Sequence, residues 1–479
     1  MVSNYYALIH ERLQQHLDDD LICWPDTTRP GLADMAYTGR AILTSVAAIR
    51  AELVRQRVQP GQQVVLALPV SFDLIGTLLA SMALGAILVL PPAAARWALL
   101  RLLLRGDVTV LLTKRPLPAP LSWLGRLIGI RNIALDINSL PPAAPLPPQA
   151  VDPDQPALIS HSSGSTGVAK AIRRSHRVLL AQHQALTEAF PPWAGQRDFP
   201  LFLNILLHNL ALGTLSILPA LPGFRLAGIA PERIVQQLVD QGVQTLTGNV
   251  YYFQQLLQYL HLHPTQFPQV RALGIGGSPV PEGLAGAIKT YFVNAAIYVI
   301  YGSSEAEPIA IRQLGTEPLA PRRGYAVGTV HPSLQVAIHP IGTLLLPGGK
   351  TYAVGEIAVK GPHVATPGND WFMTGDFGYL DEADQLFLTG RRGNERLHQG
   401  VQHYQIEHVL TQVAGVERVA ARATEQGFTV YVQGNASQQD LSVALATTFP
   451  ETLINHLYFR STLPVDARHL SKIRYDQLT

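Results

Sequence analysis

Apolar positions recur along this chain in two rhythms. Helical spacing covers 39–56, 71–84 and 177–190, while short continuous apolar runs cover 63–69, 86–90 and 108–113. The first rhythm predicts helices, and the second predicts buried strands bounded by Gly or Pro. The alternation continues with helices predicted over 232–241, 251–260 and 282–292, and strands over 199–204, 245–247, 272–275 and 296–300. Strands alternating with helices imply an α/β fold, a largely parallel sheet covered on both faces. From about 327 to 388 the reading turns to short β runs with tight turns such as Leu346-Pro-Gly-Gly349. A last unit follows Gly390 with its own helix and with strands over 416–422 and 429–433. The expected organisation is a large N-terminal domain over 1–390, built of helix-flanked sheets plus a β-rich subregion. A small, mobile α+β C-terminal domain covers 391–479. Glycine-flanked, charged residues at Gly390–Gly393 suit a hinge between the two.

Two apolar stretches raise the question of a membrane. Residues 74–90 are nearly all apolar, but Gly76 and Gly85 interrupt them and Pro91-Pro92 end them, so a buried helix leading into a buried strand is expected. Residues 96–105 place leucines between three arginines, which suits an amphipathic helix packed on a sheet and leaves peripheral membrane association open. The N-terminus has no basic region followed by an apolar stretch, so no secretory signal and a cytoplasmic location are expected.

Composition narrows the class. At 479 residues the chain exceeds one ordinary core, and 47% hydrophobic with 15% charged residues describes a globular protein. A net charge of +2 without a Lys/Arg block argues against nucleic acid as a partner. A single cysteine, Cys23, excludes an internal disulfide and a Cys-based zinc site.

The richest local signal is Ser160-His-Ser-Ser-Gly-Ser-Thr-Gly-Val-Ala-Lys170, a small-residue loop preceded by the apolar run 156–159 and followed by an amphipathic run from Ser175-His176. That order predicts strand, loop, helix. Glycines admit a polyphosphate close to the backbone, and N–H groups, hydroxyls and an ammonium supply donors. The spacing differs from the nucleotide loop G-x-x-x-x-G-K-[ST], and a Ser/Gly-rich loop is also a common linker.

Further segments then fall into one order: Ser163–Lys170, Gly276-Gly-Ser-Pro-Val280, Tyr301-Gly-Ser-Ser-Glu305, Thr374-Gly-Asp-Phe-Gly-Tyr379, Gly390-Arg391 and Lys472. In content and spacing they resemble the adenylate-forming superfamily of acyl-CoA synthetases, peptide-synthetase adenylation domains and luciferases. The chemistry such enzymes perform joins a weak carboxylate nucleophile to the α-phosphorus of ATP, so developing charge must be neutralised by metal, lysine and backbone donors. The resemblance implies ATP and Mg²⁺ as cofactors and a small carboxylic acid as substrate. It assigns the β- and γ-phosphates to Ser162, Ser163, Gly164, Ser165, Thr166, Gly167 and Lys170. Gly276, Gly277, Ser278, Pro279 and Tyr301 would flank the adenine, with Gly302 and Ser303 lining the nucleotide. Ser304 would touch the α-phosphate and Glu305 would ligate Mg²⁺. Asp376 would accept both ribose hydroxyls, Arg391 would add a ribose contact, and Lys472 would bridge carboxylate and α-phosphate.

Plainer readings stand beside these. Glu305 could be a helix N-terminal acid, Asp376 a turn residue, and Lys472 a solvated charge near the chain end. His161 and His208 read as packed or surface histidines, and neither Glu307 nor Arg323 has an assigned role.

The chain departs from the superfamily pattern at Ala169, Ala171 and Gly393, across 394–399, and in Val401-Gln-His-Tyr-Gln-Ile-Glu407, where related sequences help position a thiol acceptor. Within the superfamily, 198–202, 276–281, 301–306 and 464–473 resemble the β-lactone synthetases of olefin biosynthesis. That resemblance implies that a substrate β-hydroxyl displaces AMP and no CoA is used. Alternatives are an acyl-CoA or acyl-carrier-protein ligase and a catalytically inactive acyl or nucleotide binder. The apolar run 201–218, which carries no acidic residue, points to an apolar acid; core packing explains its leucines equally well.

Overall fold

A computed structural model describes residues 3–25, 34–91, 96–104, 106–162, 170–315, 319–366, 368, 370–466 and 470–478. Its chain contacts divide into two units: 1–228 with 304–306 and 362–367, and the remainder.

The first unit contains a six-stranded sheet in the order Arg131–Ala134, Val110–Thr113, Gln63–Ala67, Ile87–Val89, Pro156–Ser162 and Lys170–Ser175. All neighbours are parallel except the last pair. Strands Arg197–Pro200, Leu215–Ile217 and Asp20–Trp24 run parallel, and Met35–Thr38 pairs antiparallel to the last of them. Helices Tyr5–Gln15, Gly39–Arg55, Phe72–Leu84 and Leu203–Leu212 contribute to one core with the sheet, through Ile9, Leu13, Ile42, Leu78, Leu88, Leu206 and Leu210.

The apolar run at 74–90 resolves as expected into helix and strand. Ser71 caps the helix Phe72–Leu84, and it stops at Gly85 in the left-handed region, φ +78°. A side chain there would also collide with Val151, so glycine is required twice over. Among the described residues no helix is long and apolar enough to cross a membrane. The arginine-leucine stretch forms Arg96–Leu103, with Leu99, Leu102 and Leu103 packed on a core of Val65, Val89, Val108 and Leu111.

Two expectations change. The predicted strand 199–204 ends at Pro200, and residues 203–204 already belong to the helix Leu203–Leu212. Its Leu206, Leu207, Leu210 and Ala211 lie in the core, so packing accounts for these apolar residues of the 201–218 run. Residues 170–175, read as leading into a helix, form a strand that alternates exposed and buried side chains with Ile172 inside. The small-residue loop therefore connects two antiparallel strands, with Ser162 paired to Lys170, and the helix begins only at His176, capped by Ser175.

In the second unit a sheet runs Gln335–Leu345, Thr351–Lys360, Phe372–Leu380, Gln385–Arg391, Tyr325–Val330, Ala306–Gln313, Ala296–Ser303, Ala272–Gly276 and Thr245–Asn249. The last three strands are parallel and carry the helices Val250–Leu262 and Glu282–Tyr291, whereas the first five are antiparallel. The C-terminal part builds a separate three-stranded sheet, Val416–Ala423, Phe428–Gly434 and Ile454–Phe459, with helices His403–Leu410 and Gln438–Thr448. It has its own core, including Ile406, Leu410, Phe428, Val430, Leu441 and Leu453.

Candidate active site

Two parallel strands end side by side and supply the first wall of a cleft. Gly276 closes the strand Ala272–Gly276, and a side chain there would lie 2.7 Å from the Ile300 carbonyl oxygen. Gly277 follows at φ +80°, turning the chain so that Ser278 and Pro279 line the cleft. The neighbouring strand Ala296–Ser303 brings Tyr301 and Gly302 to the same place.

The second wall comes from the antiparallel strands Phe372–Leu380 and Gln385–Arg391, whose register sets Asp376 opposite Arg391. The Arg391 guanidinium donates to Asp376 Oδ1 at 2.7 Å, and the Tyr301 hydroxyl donates to Oδ2 at 3.0 Å. Each carboxylate oxygen keeps a second lone pair for a ligand hydroxyl. Burial, then the Asp376 charge, holds the Tyr301 phenol well above its usual range, so it stays a donor. Asp376 raises the already high Arg391 pKa further.

Lys472, Ser471 and Ile473 complete the lining, together with Tyr404, Glu407 and Tyr475, around a cavity of about 150 Å³. The loop carrying Lys472 is pinned by backbone bonds, Asp466 N–H to the Lys472 carbonyl and Arg474 N–H to the Pro464 carbonyl, both 2.9 Å. The hydroxyls of Ser278 and Ser471 are buried there without a hydrogen-bond partner among the described residues. Buried hydroxyls are rarely left so, and two in one cleft mark unmet capacity for a polar ligand.

Behind the cleft lies a chain of contacts that sequence reading missed. The Arg391 backbone N–H donates to His403 Nε2 at 3.0 Å, which leaves the proton-bearing Nδ1 to donate to Glu407 Oε1 at 3.1 Å. Glu407 also accepts the Ala421 N–H at 2.9 Å and the Tyr475 hydroxyl at 2.7 and 2.9 Å. Burial, then Glu407, keeps the Tyr475 hydroxyl protonated. The segment 401–407, set apart in the sequence by its departure from related patterns, is thus a buried helix start that ties Arg391 to Tyr475, three residues after Lys472. Asn394 binds the strand Val416–Ala423 through Ala421 and Ala423, both at 2.8 Å.

Residues 163–169, with Ser163, Gly164, Ser165, Thr166 and Gly167, fall outside the described residues, while Lys170 opens its strand exposed to solvent. Ser303 closes the strand Ala296–Ser303; Ser304 is exposed and Glu305 half-buried in the turn that follows, where the Glu305 carbonyl accepts the Ala365 N–H at 2.7 Å. His161 is buried with Nδ1 at 2.8 Å from the Leu90 carbonyl, and burial lowers the pKa of His208 to about 3, so both are packed histidines. Arg323 serves the fold, pairing with Asp381 at 2.6 Å and covering the Phe387 ring. Cys23 is buried and its thiol is pushed up to about 12 by burial and Asp34, which makes it inert.

Residues 14–367 match the AMP-binding enzyme family, and the chain is a member of it, an adenylate-forming ligase. It is 29% identical over 378 residues to an olefin β-lactone synthetase of Stenotrophomonas maltophilia, covering 69% of this chain and 67% of that protein. An olefin β-lactone synthetase of Xanthomonas campestris is 27% identical over 373 residues, 68% of this chain and 66% of that protein. The matches thus span about two thirds of those relatives. A 2-succinylbenzoate–CoA ligase of Oceanobacillus iheyensis is 27% identical over 286 residues, 55% of this chain and 56% of its own. Among solved structures, O-succinylbenzoate coenzyme A synthetase of Bacillus subtilis with ATP and magnesium shares the fold, with a TM-score of 0.79 at 18% identity over 98% of this chain and 99% of that one.

Proposed function

We propose that this ligase uses ATP and Mg²⁺ to convert an apolar carboxylic acid, a β-hydroxy or fatty acid, into its acyl-adenylate and pyrophosphate. The observation that carries this reading is the single cleft uniting Asp376, Arg391, Tyr301, Lys472 and two unpartnered hydroxyls. Asp376 takes the ribose hydroxyls, Gly276–Pro279 and Tyr301 flank the adenine, and Lys472 neutralises charge between carboxylate and α-phosphate. Glu305 holds Mg²⁺. One carboxylate suits such an ion, and among the described residues no group of three or more His, Cys, Asp or Glu is arranged to hold a metal. Bound there, the ion would offset phosphate charge. Residues 391–479 act as the mobile domain that carries Lys472, in a cytoplasmic protein.

For the second half-reaction we propose intramolecular attack by a substrate β-hydroxyl, giving a β-lactone. The likeness to two olefin β-lactone synthetases supports it, as does the segment 401–407, whose polar side chains are consumed in internal hydrogen bonds. The second reading is transfer to CoA or a carrier-protein thiol, favoured by the CoA ligases among the relatives. Pyrophosphate release across a panel of acids, with and without CoA, tests both. Best turnover with medium or long β-hydroxy acids and no stimulation by CoA is expected; better activation of polar amino acids contradicts the substrate assignment, and thiol-dependent turnover replaces the lactone with the ligase.

A further inference from the structure

The helix Ala119–Leu127 is built the wrong way round for a solvent-facing element. It connects Val110–Thr113 to Arg131–Ala134, the terminal strand of the six-stranded sheet. Its two ends are anchored, since Leu117 and Ile130 pack into the core with Val65 and Leu111. Between the anchors the half-buried residues are small, Ser122 and Gly125, while Leu121, Trp123, Leu124, Leu127 and Ile128 are exposed, Trp123 at 66% and Leu127 at 68%. No residue of the helix is buried. Isolated exposed leucines are ordinary; five large apolar side chains within eight positions form a patch that calls for an occupant.

Charge selects the occupant. Between Asp107 and Asp136 the chain carries Lys114, Arg115, Arg126 and Arg131 and no acidic residue, in a protein whose net charge is only +2. Lys114 is partly offset by Asp73 at 3.5 Å and Arg131 donates to the Arg57 carbonyl at 3.4 Å. Arg115 and Arg126 are exposed and have no carboxylate partner among the described residues. An exposed tryptophan among leucines, bordered by uncompensated arginines, suits the boundary of an anionic bilayer: the ring and leucines enter the headgroup region while the guanidinium groups meet lipid phosphates. A protein partner would need matching acidic groups around an apolar socket, whereas a lipid surface supplies both at once.

We propose that this helix docks the protein peripherally on anionic membranes. The proposal is independent of the chemistry assigned to the cleft. Co-sedimentation of the full chain with phosphatidylcholine vesicles, with and without phosphatidylglycerol, tests it. Binding to the mixed vesicles that weakens with added salt, accompanied by a blue shift in tryptophan emission, is expected. Leu124→Ser with Leu127→Ser should weaken binding about tenfold or more, because each leucine gives up its apolar burial. Arg115→Glu with Arg126→Glu should abolish the preference for phosphatidylglycerol. All four positions are exposed, so both variants should keep the wild-type melting temperature and pyrophosphate release on a short soluble acid. Absence of vesicle binding, binding unaffected by either variant, or self-association of the chain that the leucine variant abolishes would each overturn the proposal.

Discussion

Replacing Tyr475 by Phe removes one hydroxyl and leaves its ring beside His403, at 4.9 Å between centroids. That hydroxyl bridges both oxygens of Glu407, a carboxylate 5% exposed whose other donors are the Ala421 N–H and His403. A hydrogen bond to a charged group contributes roughly 1.5–3 kcal/mol, and a buried carboxylate losing one donor is left under-solvated. The backbone bonds at Lys472 and Arg474 remain, so part of this loss goes into holding the 470–478 segment less firmly. If that segment positions Lys472, acid-dependent ATP–pyrophosphate exchange should fall by about one power of ten, up to two if the whole loss is felt there. Denaturation alone cannot distinguish positioning from general weakening, so the assay is a double-mutant cycle with Lys472→Ala. Once the ammonium is gone, Tyr475→Phe should cost almost nothing further in exchange rate. Full, additive losses in the two backgrounds, or an unchanged rate in the single variant, would refute the reasoning.

Lys472→Ala alone should lower adenylation by roughly 2–4 kcal/mol of transition-state stabilisation while the ATP dissociation constant changes far less; equal losses in both would remove the bridging role. Asp376→Ala should raise the ATP dissociation constant, since the proposed ribose contacts would form before chemistry, and unchanged equilibrium binding of ATP would take Asp376 out of the site. Acid should destabilise the fold through neutral buried histidines: burial lowers His176, His183 and His408 to about 4 and His208 to about 3. The unfolded chain takes up these protons near pH 6.5 and the folded one does not, so stability is retained above that pH. It falls as pH drops from about 6.5 toward 4, by about 1.4 kcal/mol per unit for each histidine. Urea denaturation at several pH values should show His208→Leu flattening that slope by one histidine's share; an identical slope would mean His208 is not held neutral.

Periodicity made the parallel strands legible, because 63–69, 86–90, 272–275 and 296–300 are short, mostly apolar runs whose central residues, such as Val64, Val65, Leu88, Leu273 and Val299, are buried. The helix Ala119–Leu127 was hidden by Pro118, Pro120, Gly125 and Gly129, which read as breakers although Pro is tolerated in a first turn. Residues 170–175 hid as a strand because Lys170, Arg173 and Arg174 obscure the alternation around Ile172. The cleft-lining turn announced itself through glycine, since a side chain at Gly276 would meet the Ile300 carbonyl oxygen and Gly277 takes a positive φ. Glu407, His403 and Tyr475 gave no such signal: their partnership spans 68 residues between Glu407 and Tyr475, and nothing in either segment names the other.

Mass spectrometry of a mixture of the purified protein, ATP, Mg²⁺ and a long-chain β-hydroxy acid, without any thiol, tests the central claim most directly. The account expects AMP and a product lighter than the acid by one water, the β-lactone, formed over many turnovers. Enzyme-bound acyl-adenylate that turns over only when CoA or a carrier protein is added would contradict it.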